Sequence, residues 1–226
     1  MKKRKRTIRY IILGSLLLLV WLTQMLPFMG EIYARTIYPV ISYCLSFFSR
    51  WIPFALGDLF IFLSIIGVIA YPFYARLHKK LRWKKLLLND GEYLLWIYVW
   101  FYLAWGLNYS QKNFYQRTEI PYTEYNKENF QTFVNEYIDL LNHSYTPVTS
   151  INEKLVREES IRLYHQLSDS LGVHRPPHNY LKAKTMLFTP FISMVGVTGS
   201  MGPFFCEFTL NGDLLPVNYP ATYAHE

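Results

Sequence analysis

Nearly every long apolar run in this chain lies before Tyr109, and that one-sided distribution limits the fold more than any average does. The run Tyr10–Met29 is close to the ~20 residues that cross a hydrocarbon core of about 30 Å. Lys2, Lys3, Arg4, Lys5, Arg6 and Arg9 precede it. A cleaved secretory signal has a shorter apolar core followed by small residues. Here Thr23-Gln24-Met25-Leu26-Pro27-Phe28 follows instead. The expectation is an uncleaved anchor in a lipid bilayer, with the basic N-terminus in the cytoplasm.

A second span is expected over about 54–74, with Asp58 near its start, where a helix N-terminus favours a carboxylate. Arg76, Lys79, Lys80, Arg82, Lys84 and Lys85 follow at once, and six cations in so short a loop pin it to the cytoplasm. Asn89-Asp90-Gly91 reads as a chain break, and a short, strongly aromatic third span is expected over 92–109. If that third segment only lay at the interface, everything after it would sit in the cytoplasm. Between the first two spans, Ile37, Val40, Ile41, Tyr43, Cys44, Phe47 and Phe48 recur at helical spacing. That stretch is either an amphipathic helix at the outer interface or a helix packed across the top of the bundle. The reading is a multi-pass inner-membrane protein, anchored through residues 1–109, with residues 110–226 outside the cytoplasm.

The net charge of +7 does not describe a nucleic-acid partner. Residues 1–108 carry 14 Lys/Arg against 4 Asp/Glu, a balance of +10. Residues 109–226 carry 9 against 12, a balance of −3. The basic excess therefore sits beside the apolar runs, as the positive-inside rule demands, and not on the soluble half. The two cysteines, Cys44 and Cys206, show no Cys-x-x-Cys spacing, so a thiolate zinc site is not supported. They read as small buried hydrophobes rather than as a disulfide.

Beyond Tyr109 the periodicity is that of a soluble α+β domain. Phe130, Phe133, Val134, Tyr137, Ile138 and Leu141 mark one face of a helix over 127–141. Val156, Leu163, Tyr164, Leu167 and Leu171 mark a second, opened by the capping-box spacing Ser150-x-x-Glu153 and closed at Gly172. Strand-like segments follow at 181–188 and 201–210, then the turn signal Asn211-Gly212-Asp213. Pro220 reads as a break before a helix that starts near Thr222-Tyr223-Ala224.

The chemistry concentrates in the last two residues, His225-Glu226. His-Glu opens the His-Glu-x-x-His motif, in which two histidines one helical turn apart bind zinc and the glutamate polarises the metal-bound water. A strand-rich segment ahead of such a helix is the layout of zinc peptidases, whose edge strand can receive a peptide as an added strand. Read in order, Trp105-Gly106-Leu107-Asn108-Tyr109, Lys184–Phe188, Gly196–Glu207 and Leu215–Pro220 before Ala224-His225-Glu226 resemble a family of bacterial membrane proteins, domain of unknown function 3810. The resemblance covers the whole chain. It implies three N-terminal transmembrane α-helices followed by an α+β zincin-like soluble domain, incomplete here because the chain stops inside the motif. It implies zinc as cofactor, His225 as first metal ligand, Glu226 as catalytic base and a peptide or protein substrate.

The family's Pro-Phe-Thr-Gly-Glu-like stretch falls on Pro203-Phe204-Phe205-Cys206-Glu207, with Phe205-Cys206 as a departure from it. Glu207 then either lines the cleft or faces solvent from a strand. With one histidine and no downstream ligand, residues 1–226 are expected to hold zinc weakly and hydrolyse nothing.

The remaining histidines read as surface or loop residues: His174 and His178 around Pro176-Pro177, His165 on a helix, His143 past a helix end, His78 by the basic loop. No Gly-x-Ser-x-Gly or Gly-Lys-Ser/Thr arrangement occurs, which leaves a serine hydrolase and a phosphate loop unsupported. The alternative to a membrane-anchored zinc peptidase is a non-enzymatic membrane protein whose outer domain binds a partner.

Overall fold

The computed structural model describes residues 2–147, 150–172 and 182–226, with the backbone alone for Lys2 and Lys3. The chain is mostly helical with one small sheet. It divides into two compact units: the described residues of 1–112, 176–214 and 225–226, and those of 113–175 and 215–224. Residues 182–214, which the sequence reading placed with the soluble half, thus pack with the N-terminal helices.

In the first unit, helix α1 (Lys2–Met25) takes in the basic leader as well as the apolar run. Lys and Arg are good helix formers, and nothing before Pro27 interrupts. Pro27 opens α2 (Pro27–Ile32), where its missing N–H loses no bond. A five-residue π-helical stretch, Tyr33–Ile37, leads into α3 (Tyr38–Ser49). The inner face of α3 is built from Ser42, Ser46 and Ser49, while Val40, Tyr43 and Phe48 point outward. Most of the apolar stripe seen in the sequence, Cys44 included, is therefore exposed, while Ile41 packs toward the core.

Helices α4 (Leu56–His78) and α5 (Trp83–Ala104) form an antiparallel pair around the basic loop. Here the sequence reading is corrected: Asn89-Asp90-Gly91 does not break the chain but lies inside α5. Asn89 and the neighbouring Glu92 find partners on other helices. Asn89 Nδ2 donates to the Tyr71 hydroxyl at 3.0 Å, and Arg9 Nη2 of α1 donates to Glu92 Oε2 at 2.9 Å. Two helices, Arg4–Met25 and Leu56–His78, are long and apolar enough to cross a membrane. The core of this end of the unit is Val20, Tyr33 and Leu107, with Tyr38, Ile41, Tyr102 and Leu103 against it. The Tyr33 hydroxyl donates to the Leu103 carbonyl at 2.7 Å. Gly30 is required there, since a Cβ would lie 2.1 Å from the Ser110 carbonyl oxygen.

The sheet has the order β1-β3-β2, with β1 (Lys184–Thr185) parallel and β2 (Gly199–Gly202) antiparallel to β3 (Glu207–Leu210). The single strand expected over 201–210 is instead a hairpin, and only two residues of the described part of 181–188 are strand.

In the second unit, α6 (Phe114–Thr118) carries a full capping box from Asn113 and Gln116. Helix α7 (Lys127–His143) is capped by Asn126, whose side chain accepts from the Asn129 N–H at 3.0 Å. Helix α8 (Glu153–Leu167) is capped by Asn152 and not by Ser150, with Asn152 Oδ1 accepting from the Leu155 N–H at 3.1 Å. Neither α7 nor α8 buries a residue. His174, His178 and Pro176-Pro177 lie outside the described residues. Between β1 and β2 the chain forms the short α9 (Thr189–Ser193), and after the sheet it forms α10 (Tyr219–His225). Pro220 sits in the first turn of α10 and does not precede it.

Candidate metal and acid–base site

The β2–β3 hairpin turns through Pro203–Cys206, with Cys206 at φ +46°. That left-handed backbone costs a side-chain-bearing residue ~1–2 kcal/mol, and burial of the thiol against the α5 end offsets it. Cys206 Sγ lies 3.9 Å from the Ala104 carbonyl, and burial pushes the thiol up to about 11. Trp100 Nε1 donates to the Phe204 carbonyl at 3.1 Å, and the Phe60 and Phe204 rings meet at 4.9 Å. Gly202 permits the tight pairing with Glu207, whose carbonyl would sit 2.9 Å from an added Cβ. At the far end Asn211 closes the hairpin: its N–H donates to Thr198 O at 2.9 Å and its Nδ2 to Val197 O at 2.8 Å. Among the described residues, strand β2 is paired on one side only, by β3.

Glu226 is brought to that free-edged strand. Its carboxyl is raised above the ordinary carboxylate range by burial, against the pull of His225 and of a hydrogen bond from the Met201 backbone of β2. His225 closes the last turn of α10 and is exposed, while Glu226 is half-buried. The two residues singled out by the sequence thus sit side by side at a helix end, with the acid against a sheet edge. A half-buried carboxyl whose neutral form is favoured by burial is a candidate acid–base group.

The described residues offer a metal ion one histidine nitrogen and one carboxylate at this point. No group of three His, Cys, Asp or Glu close enough to hold a metal ion occurs among them. A catalytic zinc ordinarily takes three protein ligands, so the residues present fit one corner of a zinc site and not the whole.

Glu207 belongs to a different constellation. It does not face solvent, as one reading of the strand had it. The side chains of Lys184 and Glu207 are 4% and 1% exposed and form an ion pair through Nζ and Oε2. The other two ammonium protons go to the carbonyls of Ser49 at 2.9 Å and Phe54 at 3.2 Å. Glu207 Oε1 accepts from the Gly57 N–H at 2.6 Å, in the first turn of α4 where the helix dipole favours an anion. Every Lys184 donor is used, as a buried ammonium requires. Sequence reasoning missed Lys184, though a signal was present: between Lys184 and Glu207 the chain carries no charged residue. Asp58, expected as a helix-start carboxylate, accepts from the Leu187 N–H at 2.9 Å and so also ties sheet to helix.

Two further histidines have local partners. His143 Nδ1 meets the Asp139 carbonyl at 2.7 Å, and His78 packs on Tyr74 with ring centres 4.8 Å apart. A cavity of about 520 Å³ lies among α1, α4 and α5, lined by Arg9, Tyr71, Asn89, Asp90, Glu92 and Trp96 among others.

Residues 33–226 match the family described as Protein of unknown function (DUF3810). The chain belongs to that family. The match takes in α3 to α10, and with them the hairpin, Lys184, Glu207 and the His225-Glu226 corner of this DUF3810 protein. No curated protein and no solved structure matches the chain.

Proposed function

We propose that this DUF3810 protein is a membrane-anchored zinc metallopeptidase-like protein, with His225 as first metal ligand and Glu226 as the acid–base residue. The observation that carries the reading is the Glu226 carboxyl set against the Met201 backbone of the free-edged strand β2. A peptide added along that edge would lie beside the His-Glu pair. Residues 1–226 alone hold zinc weakly, because His225 is one protein ligand where three are usual. Dialysis of purified 1–226 is expected to remove zinc. The gene read past the codon for Glu226 is expected to give two residues and then a histidine. In the product of that frame, Glu226→Gln keeps zinc and loses peptide hydrolysis. Hydrolysis that survived in Glu226→Gln would end the reading.

The membrane reading is three spans in the inner membrane, with the N-terminus in the cytoplasm and the sheet outside. Its support is an asymmetry within the first unit. Arg9 pairs with Glu92 near the α4–α5 loop, the end that carries Arg76, Lys79, Lys80, Arg82, Lys84 and Lys85. The sheet is fastened at the other end, to Gly57, Asp58, Trp100 and Ala104. Helix α5 runs beside both apolar helices and has Glu92 matched by Arg9 at the basic end. A second reading, an outer domain that binds a partner, is favoured by α7, whose Phe130, Phe133, Tyr137 and Leu141 are exposed.

A further inference from the structure

The stretch between Lys184 and Glu207 holds the most solvent-averse surface of the sheet region. It contains no Asp, Glu, Lys, Arg or His. Within it, the polar side chains of α9 are taken up by hydrogen bonds within the fold, that of Ser193 at the surface with Asp213. Thr189 Oγ1 donates to Met186 O at 2.9 Å, and Ser193 Oγ donates to Asp213 Oδ2 at 2.9 Å. The apolar ones turn outward: Phe191 is 73%, Met194 82% and Val195 74% exposed. Three large apolar side chains so exposed on one short turn require a partner surface.

The partner is given by depth along α4. The Leu187 N–H is held by Asp58, and the Phe188 ring centre lies 5.1 Å from that of Phe62. Phe62 is six residues beyond Leu56, about 9 Å along the helix axis at 1.5 Å per residue. Counting back from Arg76, the first cation of the basic end, a hydrocarbon core of about 30 Å takes up about 20 residues and reaches Leu56. Phe188, and with it the start of α9, therefore stands inside the membrane level. On α4 itself, Ile61, Phe62, Leu63, Ile65 and Ile66 are likewise exposed apolar surface, and Phe62 is the residue that Phe188 meets. A depth near 9 Å is also that of interfacial elements lying at the headgroup–acyl boundary, about 5–10 Å in.

We propose that α9 and the turn Met194–Gly196 are seated in the outer leaflet of the bilayer beside α4, with Phe191, Met194 and Val195 among the acyl chains. The proposal rests on the reading of α4 as a membrane span. The sheet, and with it β2, is thereby held at the membrane surface by lipid as well as by the Lys184–Glu207 pair.

The test is spin-label accessibility in the full chain, reconstituted in vesicles of phosphatidylethanolamine and phosphatidylglycerol. Cys44 is replaced by serine and the buried Cys206 is left in place. Labels are attached singly at Met194→Cys, Phe191→Cys and, as a reference within α4, Ile65→Cys. Collision with oxygen exceeding collision with a water-soluble nickel chelate is expected at all three. Nickel exceeding oxygen at Met194 or Phe191, with Ile65 still favouring oxygen, overturns the proposal and leaves the span standing. Nickel exceeding oxygen at Ile65 removes the span and the proposal together. If Met194→Cys fails to assemble, Phe191→Cys decides the question alone.

Discussion

Glu207 and Glu226 lie within twenty residues of each other, and the molecule treats their carboxylates in opposite ways. Glu207 is enclosed, and both its oxygens are taken: one by the Lys184 ammonium, the other by the Gly57 N–H. Glu226 is half-buried beside an exposed histidine, in surroundings that favour its neutral form. The first arrangement has no valence left for chemistry and holds sheet to helix. The second leaves a carboxyl accessible at a sheet edge, with its neutral form favoured by burial. Full satisfaction marks a structural polar group, while incomplete satisfaction at a surface marks a candidate reacting one.

The largest effect should come from breaking the enclosed pair. Glu207→Ala leaves the Lys184 ammonium buried with carbonyls alone and is expected to cost about 3–5 kcal/mol, read as a lowered unfolding temperature in detergent. Replacing both partners, Lys184→Met with Glu207→Leu, should recover most of that loss. A double variant as unstable as the single would mean that the pair does more than satisfy itself. Next in size is the α8 cap: Asn152→Ala should cost about 1 kcal/mol, visible as a drop in helical circular dichroism, whereas Ser150→Ala should leave it unchanged.

The smallest effect belongs to Glu226. A carboxyl raised in the folded state stabilises the fold fully below its ordinary value of 4.5 and loses that contribution as pH rises through the folded value. Stability should therefore slip slightly as pH climbs above the ordinary carboxyl range, and Glu226→Gln should abolish the slip. A slip in the opposite direction would remove Glu226 from the comparison.

The apolar helices were legible because length and flanking charge act locally: α1 and α4 follow from their runs and from the cations beside them. Helix α5 was misjudged at its start because Asn89-Asp90-Gly91 is a turn signal in isolation. The contacts that hold the helix around it, Asn89 with Tyr71 and Glu92 with Arg9, come from other helices. The hairpin was read as one strand because its turn uses Cys206 at positive φ, where glycine or asparagine would have announced it. Asn152 lost to Ser150 as the expected cap because both are good N-cap residues and only the backbone decides between them. The site was half legible. His225-Glu226 stood out by residue type, but the bond to Met201 and the removal of Glu207 to a buried pair depend on contacts far apart in sequence, such as Glu207 with Gly57.

The most direct measurement is the zinc content of the protein expressed from its complete reading frame, after dialysis, for wild type, His225→Ala and Glu207→Gln. Zinc near one per chain in wild type and Glu207→Gln, and lost in His225→Ala, is the predicted result. Zinc absent from the wild type, or retained by His225→Ala, would contradict the assignment of His225-Glu226 as a metal and acid–base site.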